Sequence, residues 1–235
     1  RRFIDFLAQA GQHYWQILPL VPPGGGESPY MSPSSFAGNP LYLDPELLAE
    51  DGLLTPEEAQ SAQYPGSPDR VDYAWLHKTR PALLRAAWER GKTKCASELA
   101  DFWKAEKDWL PDFALFLALR EHFGGAELKD WPDPVRKREP EALAPLREEL
   151  EEEIKYHAFL QMLFFRQWTS LRAYANEKGI SIIGDLPIYV SPDSAEVWGD
   201  PKLFLLDKDL TPTAEAGVPP DAFSETGQPW GNPLY

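Results

Sequence analysis

ISIIGDLPIYV, at residues 180–190, decides the fold class of this chain. Its β-branched and apolar residues predict a buried strand, and Asp185 follows near the strand's end, ahead of a proline-containing turn. A helical pattern over residues 145–178 comes before the strand, with apolar side chains three and four positions apart and Gly179 as its stop signal. A helix, a strand and a polar strand end together predict a βα unit of an α/β fold.

A second candidate strand lies near the start of the chain. YWQILPLV, at residues 14–21, is a short apolar run that suits a strand buried on both faces, and two prolines close it. The helical pattern before it stops at Gly11. Residues 22–44 then concentrate Pro, Gly and Ser beyond what a simple connection requires, which is typical of a functional loop.

Helical patterns fill most of the chain between the two candidate strands. Segments separated by Pro and Gly lie near residues 56–62, 72–90, 97–108, 111–123 and 145–178. We therefore divide the chain into first α/β elements with a functional loop at 1–44, a helical insertion subdomain at 45–178, and a strand followed by a long loop at 179–235. A short strand is predicted at 203–207, and the rest of the last 45 residues reads mostly as loop.

Composition excludes several classes of protein. The chain carries 37 acidic against 23 basic residues, a net charge of −14, so it lacks the attraction that draws proteins to phosphate backbones or anionic lipid. Nucleic acid and membrane are therefore not expected as partners. The one cysteine, Cys95, can form neither an internal disulfide nor a zinc site, which fits a reducing, cytoplasmic location.

No motif indicates a cofactor or a metal ion. The four histidines lack the spacing of metal ligands or of a paired nucleophile. The three glycines at 24–26 lack the Lys-Ser/Thr of a phosphate loop and the spacing of a dinucleotide fingerprint. The acidic run EELEEE at 148–153 reads as the solvated N-terminal turns of a helix. We expect neither a cofactor nor a metal.

Asp185 is the first candidate for a functional side chain. A carboxylate at the C-terminal end of a parallel strand points into the crevice where α/β folds bind their substrates. The alternative is that Asp185 hydrogen-bonds the turn that follows it, since Asp is favoured in turns for that reason alone. Tyr30, which lies with Phe36 among small residues that let a ligand approach the backbone, is a candidate of the same kind or a packing residue.

The end of the chain holds the richest pattern. AGVPPDAFSETGQPWGNPLY, at residues 216–235, mixes carboxylate, aromatic and amide side chains among prolines and glycines; these are Asp221, Phe223, Gln228, Trp230 and Asn232. Flat apolar faces beside fixed polar groups suit a sugar ring, whose CH faces pack on aromatic rings while its hydroxyls hydrogen-bond. Aromatics that pin a surface loop to the body would give the same pattern.

Five motifs in a fixed order carry a family resemblance. They are LPL (18–20), SPY with FAGNP (28–40), GDLPIYV (184–190), DSAEVW (193–198) and the segment 216–235. Together they resemble the 4-α-glucanotransferases, also called amylomaltases or disproportionating enzymes, of glycoside hydrolase family 77. The resemblance implies the N-terminal part of a (β/α)8 TIM barrel with a large α-helical insertion, in which YWQILPL (14–20) is an early barrel strand and 180–190 the third.

The same resemblance implies a function. The intact enzyme would transfer a segment of a 1,4-α-D-glucan to the 4-OH of an acceptor by a retaining double displacement. Its partners would be maltooligosaccharides, amylose and starch- or glycogen-derived dextrins. Asp185 would bind the sugar at the cleavage subsite, Tyr30 would stack beside it, and the loop that carries Asp221, Phe223, Gln228 and Trp230 would arch over the glucan. Asn232 is counted among the substrate-binding residues.

The resemblance also implies a limit. In the family the nucleophilic Asp, the acid/base Glu and a third catalytic Asp lie on later strands, and the chain stops at Tyr235, before all three. We therefore expect no catalytic residue in this chain and no activity from it alone. A non-catalytic α-glucan-binding module of the same fold is the alternative, and a structural helical protein with coincidental loops is a third reading.

Overall fold

A computed structural model describes residues 1–67 and 69–235. The fold is mixed α/β and dominated by helices. The helices are α1 (Arg2–Gln9), α2 (Pro45–Glu50), α3 (Pro56–Ser61), α4 (Tyr73–Lys94), α5 (Ala96–Ala105), α6 (Leu110–His122), α7 (Asp133–Arg136), α8 (Pro140–Glu149), α9 (Glu151–Glu177) and α10 (Ala195–Gly199). The strands are β1 (Tyr14–Gln16), β2 (Ser181–Ile183), β3 (Glu215–Val218) and β4 (Gln228–Pro233). None of the helices in the described ranges combines the length and apolar character that a membrane crossing needs.

The chain divides into two compact units, and each unit combines three separate segments. Unit 1 comprises Arg1–Leu18, Gly38–Lys107 and Lys155–Asp185. Unit 2 comprises Pro19–Ala37, Asp108–Ile154 and Leu186–Tyr235. The predicted division into three consecutive parts follows the order of the chain instead, and it stays a prediction.

Unit 1 contains both predicted strands, and they lie side by side. β1 and β2 pair in parallel, and the amide of Ile17 extends the ladder by donating to the carbonyl of Ile183 at 3.0 Å. Each strand has three residues, far fewer than the apolar runs suggested. The prediction that 14–21 is buried on both faces was wrong, because Tyr14 is 67% exposed and Leu18 64% exposed.

The strand pair β1–β2 is covered on one side by a small apolar cluster, which explains why residues 14–21 are not buried on both faces. One small cluster packs against it, formed by residues of α1, the end of α9 and the strands, namely Ile4, Leu7, Ala175 and Ile180 with Trp15 and Ile182 beside them. The apolar pattern of a strand records what the strand can bury, whereas exposure depends on the elements that actually cover it. Residues pointing away from this cluster stay accessible.

Helix α9 provides the largest buried helix face of unit 1. Its residues from Tyr156 to Phe164 are all buried, and the ring of Phe159 lies 5.2 Å from that of Trp88 in α4. Gln161 is also buried, and its carboxamide accepts from the amide of Gly38 at 2.7 Å and donates to the carbonyl of Gly38 at 3.0 Å. The predicted stop at Gly179 is confirmed, with a φ of +74° just beyond the helix.

The predicted helix over 145–178 is in fact two helices. α8 ends at Glu149 and α9 begins at Glu151, with Leu150 between them outside the regular helical conformation (φ −97°, ψ 15°). Leu150 belongs to the core of unit 2, so burial of its side chain accompanies the break. The acidic run at 148–153 therefore straddles a helix junction, and only its last three glutamates form the first turn of α9.

Cys95 occupies the junction between α4 and α5. It is the C-terminal boundary of the first helix and the N-terminal boundary of the second, and it is 8% exposed. Burial raises the pKa of its thiol. The side chain is a packing residue at this corner.

Unit 2 is organised around Trp198 of α10, which is fully buried. Its indole packs on Phe116 of α6 and on Trp131, at 6.1 and 5.8 Å between ring centroids, and its ring N–H donates to the carbonyl of Val135 at 3.1 Å. The guanidinium of Arg138 lies 4.1 Å from the indole ring centroid. This tryptophan therefore combines a satisfied polar group with a large apolar contact, as buried indoles usually do.

The end of the chain is more ordered than the sequence predicted. β3 and β4 form an antiparallel hairpin where we expected loop, and Gly217 permits it, since a Cβ there would lie 2.5 Å from the carbonyl oxygen of Gln228. The predicted strand at 203–207 is reduced to one backbone bridge between Leu206 and Pro212. Polar, proline-rich strands without alternation carry no period-two signal, which is why the hairpin was missed.

Candidate functional site

Unit 2 contains a groove of about 540 Å³ with apolar walls. It is lined by three stretches of chain: the loop before α2, the residues that follow Asp185, and strand β4. The lining residues are Ser28, Tyr30, Met31, Pro187, Ile188, Tyr189, Pro229, Trp230 and Asn232. Three of the residues predicted from sequence, Tyr30, Trp230 and Asn232, therefore meet in one groove.

Two half-exposed aromatic rings line the groove. Tyr30 is 45% exposed and Trp230 is 43% exposed, although large aromatic side chains are usually more deeply buried. Tyr30 sits in a short 3-10 turn that begins at Ser28, whose hydroxyl accepts from the Tyr30 amide at 3.3 Å. An exposed aromatic face can stack on a flat apolar ligand surface while polar groups nearby fix its orientation.

Asn232 is a groove residue of a different kind. It is 4% exposed, and its side-chain amide nitrogen donates to the carbonyl of Val190 at 2.8 Å and to that of Tyr30 at 3.3 Å. The carboxamide therefore connects β4 to both of the other stretches that line the groove.

The remaining predicted residues of this segment lie at the tip of the β3–β4 hairpin and at the start of β4. Oδ1 of Asp221 accepts from the amides of Phe223 and Ser224, both at 2.8 Å, so this carboxylate shapes its own turn. Phe223, which follows within that turn, is 93% exposed. Gln228 is exposed and pairs with Val218 in the ladder of the hairpin. The structure thus gives Asp221 a local structural task and leaves the ring of Phe223 accessible.

Asp185 lies two residues beyond the end of β2. It is exposed, and it is the last residue of the third segment of unit 1, whereas the groove belongs to unit 2. The prediction of a carboxylate just past the C-terminal end of a parallel strand is confirmed. Its role in sugar binding stays a prediction.

Glu196 supports the loop that carries Tyr30, and it is not among the residues predicted from sequence. Its Oε1 accepts from the hydroxyl of Ser34 at 2.6 Å and from the amide of Ser35 at 2.9 Å. Burial is the main effect on this carboxyl and raises its pKa, against the hydrogen bonds that lower it. The motif DSAEVW contains this glutamate, but nothing in the motif itself reveals a partner more than 160 residues away.

A second carboxylate of the same motif is also structural. Asp193 accepts from the amide of Leu128 at 2.8 Å and pairs with Arg120 at 3.1 Å. Burial raises the pKa of Asp193, with the amide and the guanidinium acting in the opposite direction. The two carboxylates of the motif therefore link α10, and the residues just before it, to other segments of unit 2.

These features define a mixed α/β protein with a groove lined by exposed aromatic rings. The chain belongs to the 4-alpha-glucanotransferase family, glycoside hydrolase family 77, whose sequence model matches residues 1–235. The resemblance carried by the five motifs is thereby confirmed.

Relatives of known name agree with this membership. A 4-alpha-glucanotransferase of Thermus thermophilus is 50% identical over 240 aligned residues, which cover all of this chain and 47% of the relative. A 4-alpha-glucanotransferase of Clostridium butyricum is 43% identical, with 99% of this chain and 48% of the relative covered. The chain thus spans about half the length of the relatives it matches.

Two solved structures extend the comparison to the fold. The amylomaltase from Streptococcus agalactiae in complex with acarbose superposes with a TM-score of 0.95 at 47% identity, over all of this chain and 48% of that one. The amylomaltase from Corynebacterium glutamicum superposes with a TM-score of 0.75 at 23% identity, over 99% of this chain and 32% of that one. At that identity the second likeness concerns the fold alone.

Proposed function

We propose that the intact protein is a 4-α-glucanotransferase and that this chain supplies part of its glucan-binding cleft. The observation that carries the proposal is the groove of unit 2, where the half-exposed rings of Tyr30 and Trp230 lie among apolar walls. A glucose unit has CH faces that pack on such rings, while its hydroxyls reach polar groups at the rim. The ligands would be α-1,4-glucans, from maltooligosaccharides to amylose and dextrins.

The comparisons support this proposal through the relatives' names. The Thermus and Clostridium relatives are both named 4-alpha-glucanotransferase, and the Streptococcus agalactiae amylomaltase was solved with acarbose. We further propose that β1 and β2 are neighbouring strands of a (β/α)8 barrel and that the helical segments form an insertion in it. A cytoplasmic location is part of the same proposal.

The hairpin tip suggests how transfer would prevail over hydrolysis. In a retaining mechanism a sugar hydroxyl replaces water as the acceptor, so water must be kept away from the covalent intermediate. Phe223 is 93% exposed on a turn fixed by Asp221, which suits a ring that closes over a bound glucan. The proposal assigns the catalytic carboxylates to residues outside 1–235, so the chain by itself would bind glucan without transferring it.

The test compares Trp230→Ala with Trp230→Phe in the intact protein. We expect Trp230→Ala to weaken maltoheptaose binding about tenfold or more, since one aromatic stacking contact is worth about 0.5–1.5 kcal/mol beyond the area that it buries. It should also raise the ratio of glucose released to oligosaccharide transferred. Trp230→Phe keeps a ring and should lie between Trp230→Ala and the wild type. Calorimetry and product chromatography provide the two measurements.

A matched control is Tyr64→Ala, which removes a partly exposed ring from unit 1. Its binding and product ratio should equal those of the wild type. If the intact wild type neither binds nor transfers maltooligosaccharides, the proposed function is wrong. Binding without any transfer would instead support the alternative of a non-catalytic glucan-binding module.

A further inference from the structure

We propose that Asn232 is a positioning residue, which holds the backbone of Tyr30 and Val190 in place and acts on the glucan through them. This inference rests on the proposed function of the groove. It changes the task first assigned to Asn232, because the sequence pattern suggested a side chain that contacts the sugar directly.

The hydrogen bonds of Asn232 use up its donors. A carboxamide has two N–H protons, and here the nitrogen faces two carbonyl oxygens, those of Val190 at 2.8 Å and Tyr30 at 3.3 Å. The reverse orientation would bring the amide oxygen against both carbonyls, so the two acceptors fix which way the group points. The side chain therefore has no N–H left to donate to a sugar hydroxyl.

The connectivity of these bonds explains why a buried amide lies at a ligand groove. Tyr30 belongs to the first lining stretch, Val190 directly follows the second, and Trp230 stands two positions before Asn232 on β4. One carboxamide thus joins all three stretches that line the groove. A backbone bond lies beside it, in which the Ser191 amide donates to the carbonyl of Ser32 at 3.2 Å.

Loss of the Asn232 hydrogen bonds should displace the ring of Tyr30. Without the amide, the carbonyls of Tyr30 and Val190 lose a buried donor, and the backbone at Tyr30 can shift to find another partner while the bonds at Ser32 and Ser34 still hold the rest of the loop. Stacking on a sugar depends on the ring lying parallel to it at contact distance, so a shift of about 1 Å matters. We expect Asn232→Ala to weaken maltoheptaose binding about tenfold, the equivalent of one well-placed hydrogen bond to the loop.

The experiment is a double-mutant cycle in the intact protein. Binding of maltoheptaose is measured by calorimetry for the wild type, Asn232→Ala, Tyr30→Ala and the double variant. If Asn232 acts through Tyr30, its substitution should cost about tenfold in the wild-type background and less than about threefold once the Tyr30 ring is gone. Equal losses in the two backgrounds would overturn the inference, because they would show that Asn232 acts independently of Tyr30.

A second variant separates positioning from direct contact. Asn232→Asp keeps the shape and the acceptor oxygen but replaces both donors with a carboxylate that repels the two carbonyls. Positioning predicts binding at least as weak as that of Asn232→Ala, whereas a direct acceptor role predicts binding close to that of the wild type. Asn232→Asp also provides this readout should Asn232→Ala fail to fold.

A destabilised variant elsewhere in unit 2 is the control for loss of affinity through a general loss of structure. Leu143→Ala removes a buried side chain of α8 from the core of unit 2 and should lower stability without changing maltoheptaose affinity below the unfolding temperature. An equal loss of affinity in Leu143→Ala would overturn the specific role of Asn232. Absence of binding in the wild type would refute the proposed function, whereas a weak Tyr30→Ala beside an unaffected Asn232→Ala would refute this inference alone.

Discussion

Helix α9 and the β3–β4 hairpin both carry phenylalanine, and they hold it in opposite environments. Phe159 of α9 is fully buried and lies 5.2 Å from the ring of Trp88. Phe223 of the hairpin is 93% exposed, on a turn fixed by the carboxylate of Asp221. In the helix the aromatic ring stabilises the fold, whereas in the hairpin polar groups stabilise the turn and leave the ring accessible. Under the proposed function, stability and glucan contact would therefore depend on different regions.

The sharpest test substitutes the two phenylalanines in the same way. Phe159→Ala should lower the free energy of unfolding by about 3–5 kcal/mol, because it removes a fully buried ring and leaves a cavity. Phe223→Ala should change it by less than about 0.5 kcal/mol while reducing glucan transfer. Urea unfolding of both variants, with a transfer assay on the intact protein carrying the same substitutions, gives the comparison. Similar losses of stability would contradict the assignment.

The next test concerns two glutamines of α9 that make the same pair of hydrogen bonds in different surroundings. Gln161 is buried and bonds both backbone groups of Gly38, whereas Gln167 bonds both backbone groups of Asp44 at an exposed site. Gln161→Met should cost about 2–4 kcal/mol, because two buried groups lose their partner.

Gln167→Met is the matched control for that substitution. Water replaces the lost partner at the exposed site, so we expect less than about 1 kcal/mol. Thermal unfolding monitored by circular dichroism measures both. Equal costs would mean that burial does not set the value of these bonds.

A smaller effect tests a feature that the sequence reveals by itself. Gly179 has a φ of +74° with open space where a Cβ would lie, so Gly179→Ala should cost about 1 kcal/mol through backbone strain alone. Gly184 also faces open space but has no positive φ, and Gly184→Ala should be close to neutral. Chemical denaturation distinguishes the two. A neutral Gly179→Ala would show that its conformation is not enforced.

The smallest effect is a dependence of stability on pH. Burial raises the pKa of Glu196 above its ordinary value, so the folded chain binds this proton more tightly than the unfolded chain. The free energy of unfolding therefore decreases as pH rises from about 4.3, the unperturbed glutamate value, through the raised pKa. Glu196→Gln lacks this contribution. Melting temperatures of both proteins between pH 4 and pH 8 should diverge across that window, and parallel curves would contradict the prediction.

The helices were predictable because their signals are local. The periodic segments near 72–90 and 111–123 became α4 and α6 with shifts of a few residues at their ends, and Gly179 stops α9 where the sequence placed the stop. What escaped prediction was the break at Leu150, whose side chain is buried in the core of unit 2. Periodicity identifies the helical segment but not a break within it.

Three residues that line the groove were predictable from the sequence, but the hydrogen-bond partners of the polar side chains were not. The motifs selected Tyr30, Trp230 and Asn232, and the three do line one groove. The partners of Asn232 and of Asp221, however, are backbone atoms, and Glu196 bonds a serine hydroxyl and an amide of a distant loop. A sequence shows which side chains are polar, whereas backbone partners are determined only by the fold. The side chains of Asn232 and Asp221, which are of types that suit a sugar, thus already form hydrogen bonds within the chain.

The buried thiol at the α4–α5 corner has a practical consequence. Cys95 is the one cysteine of the chain, and burial raises its pKa, so the reactive thiolate is scarce in the folded protein. An alkylating reagent should therefore modify native protein only as fast as this corner opens. Mass spectrometry of the alkylated fraction over time would record that opening rate, with no engineered label and with every other side chain left as it is.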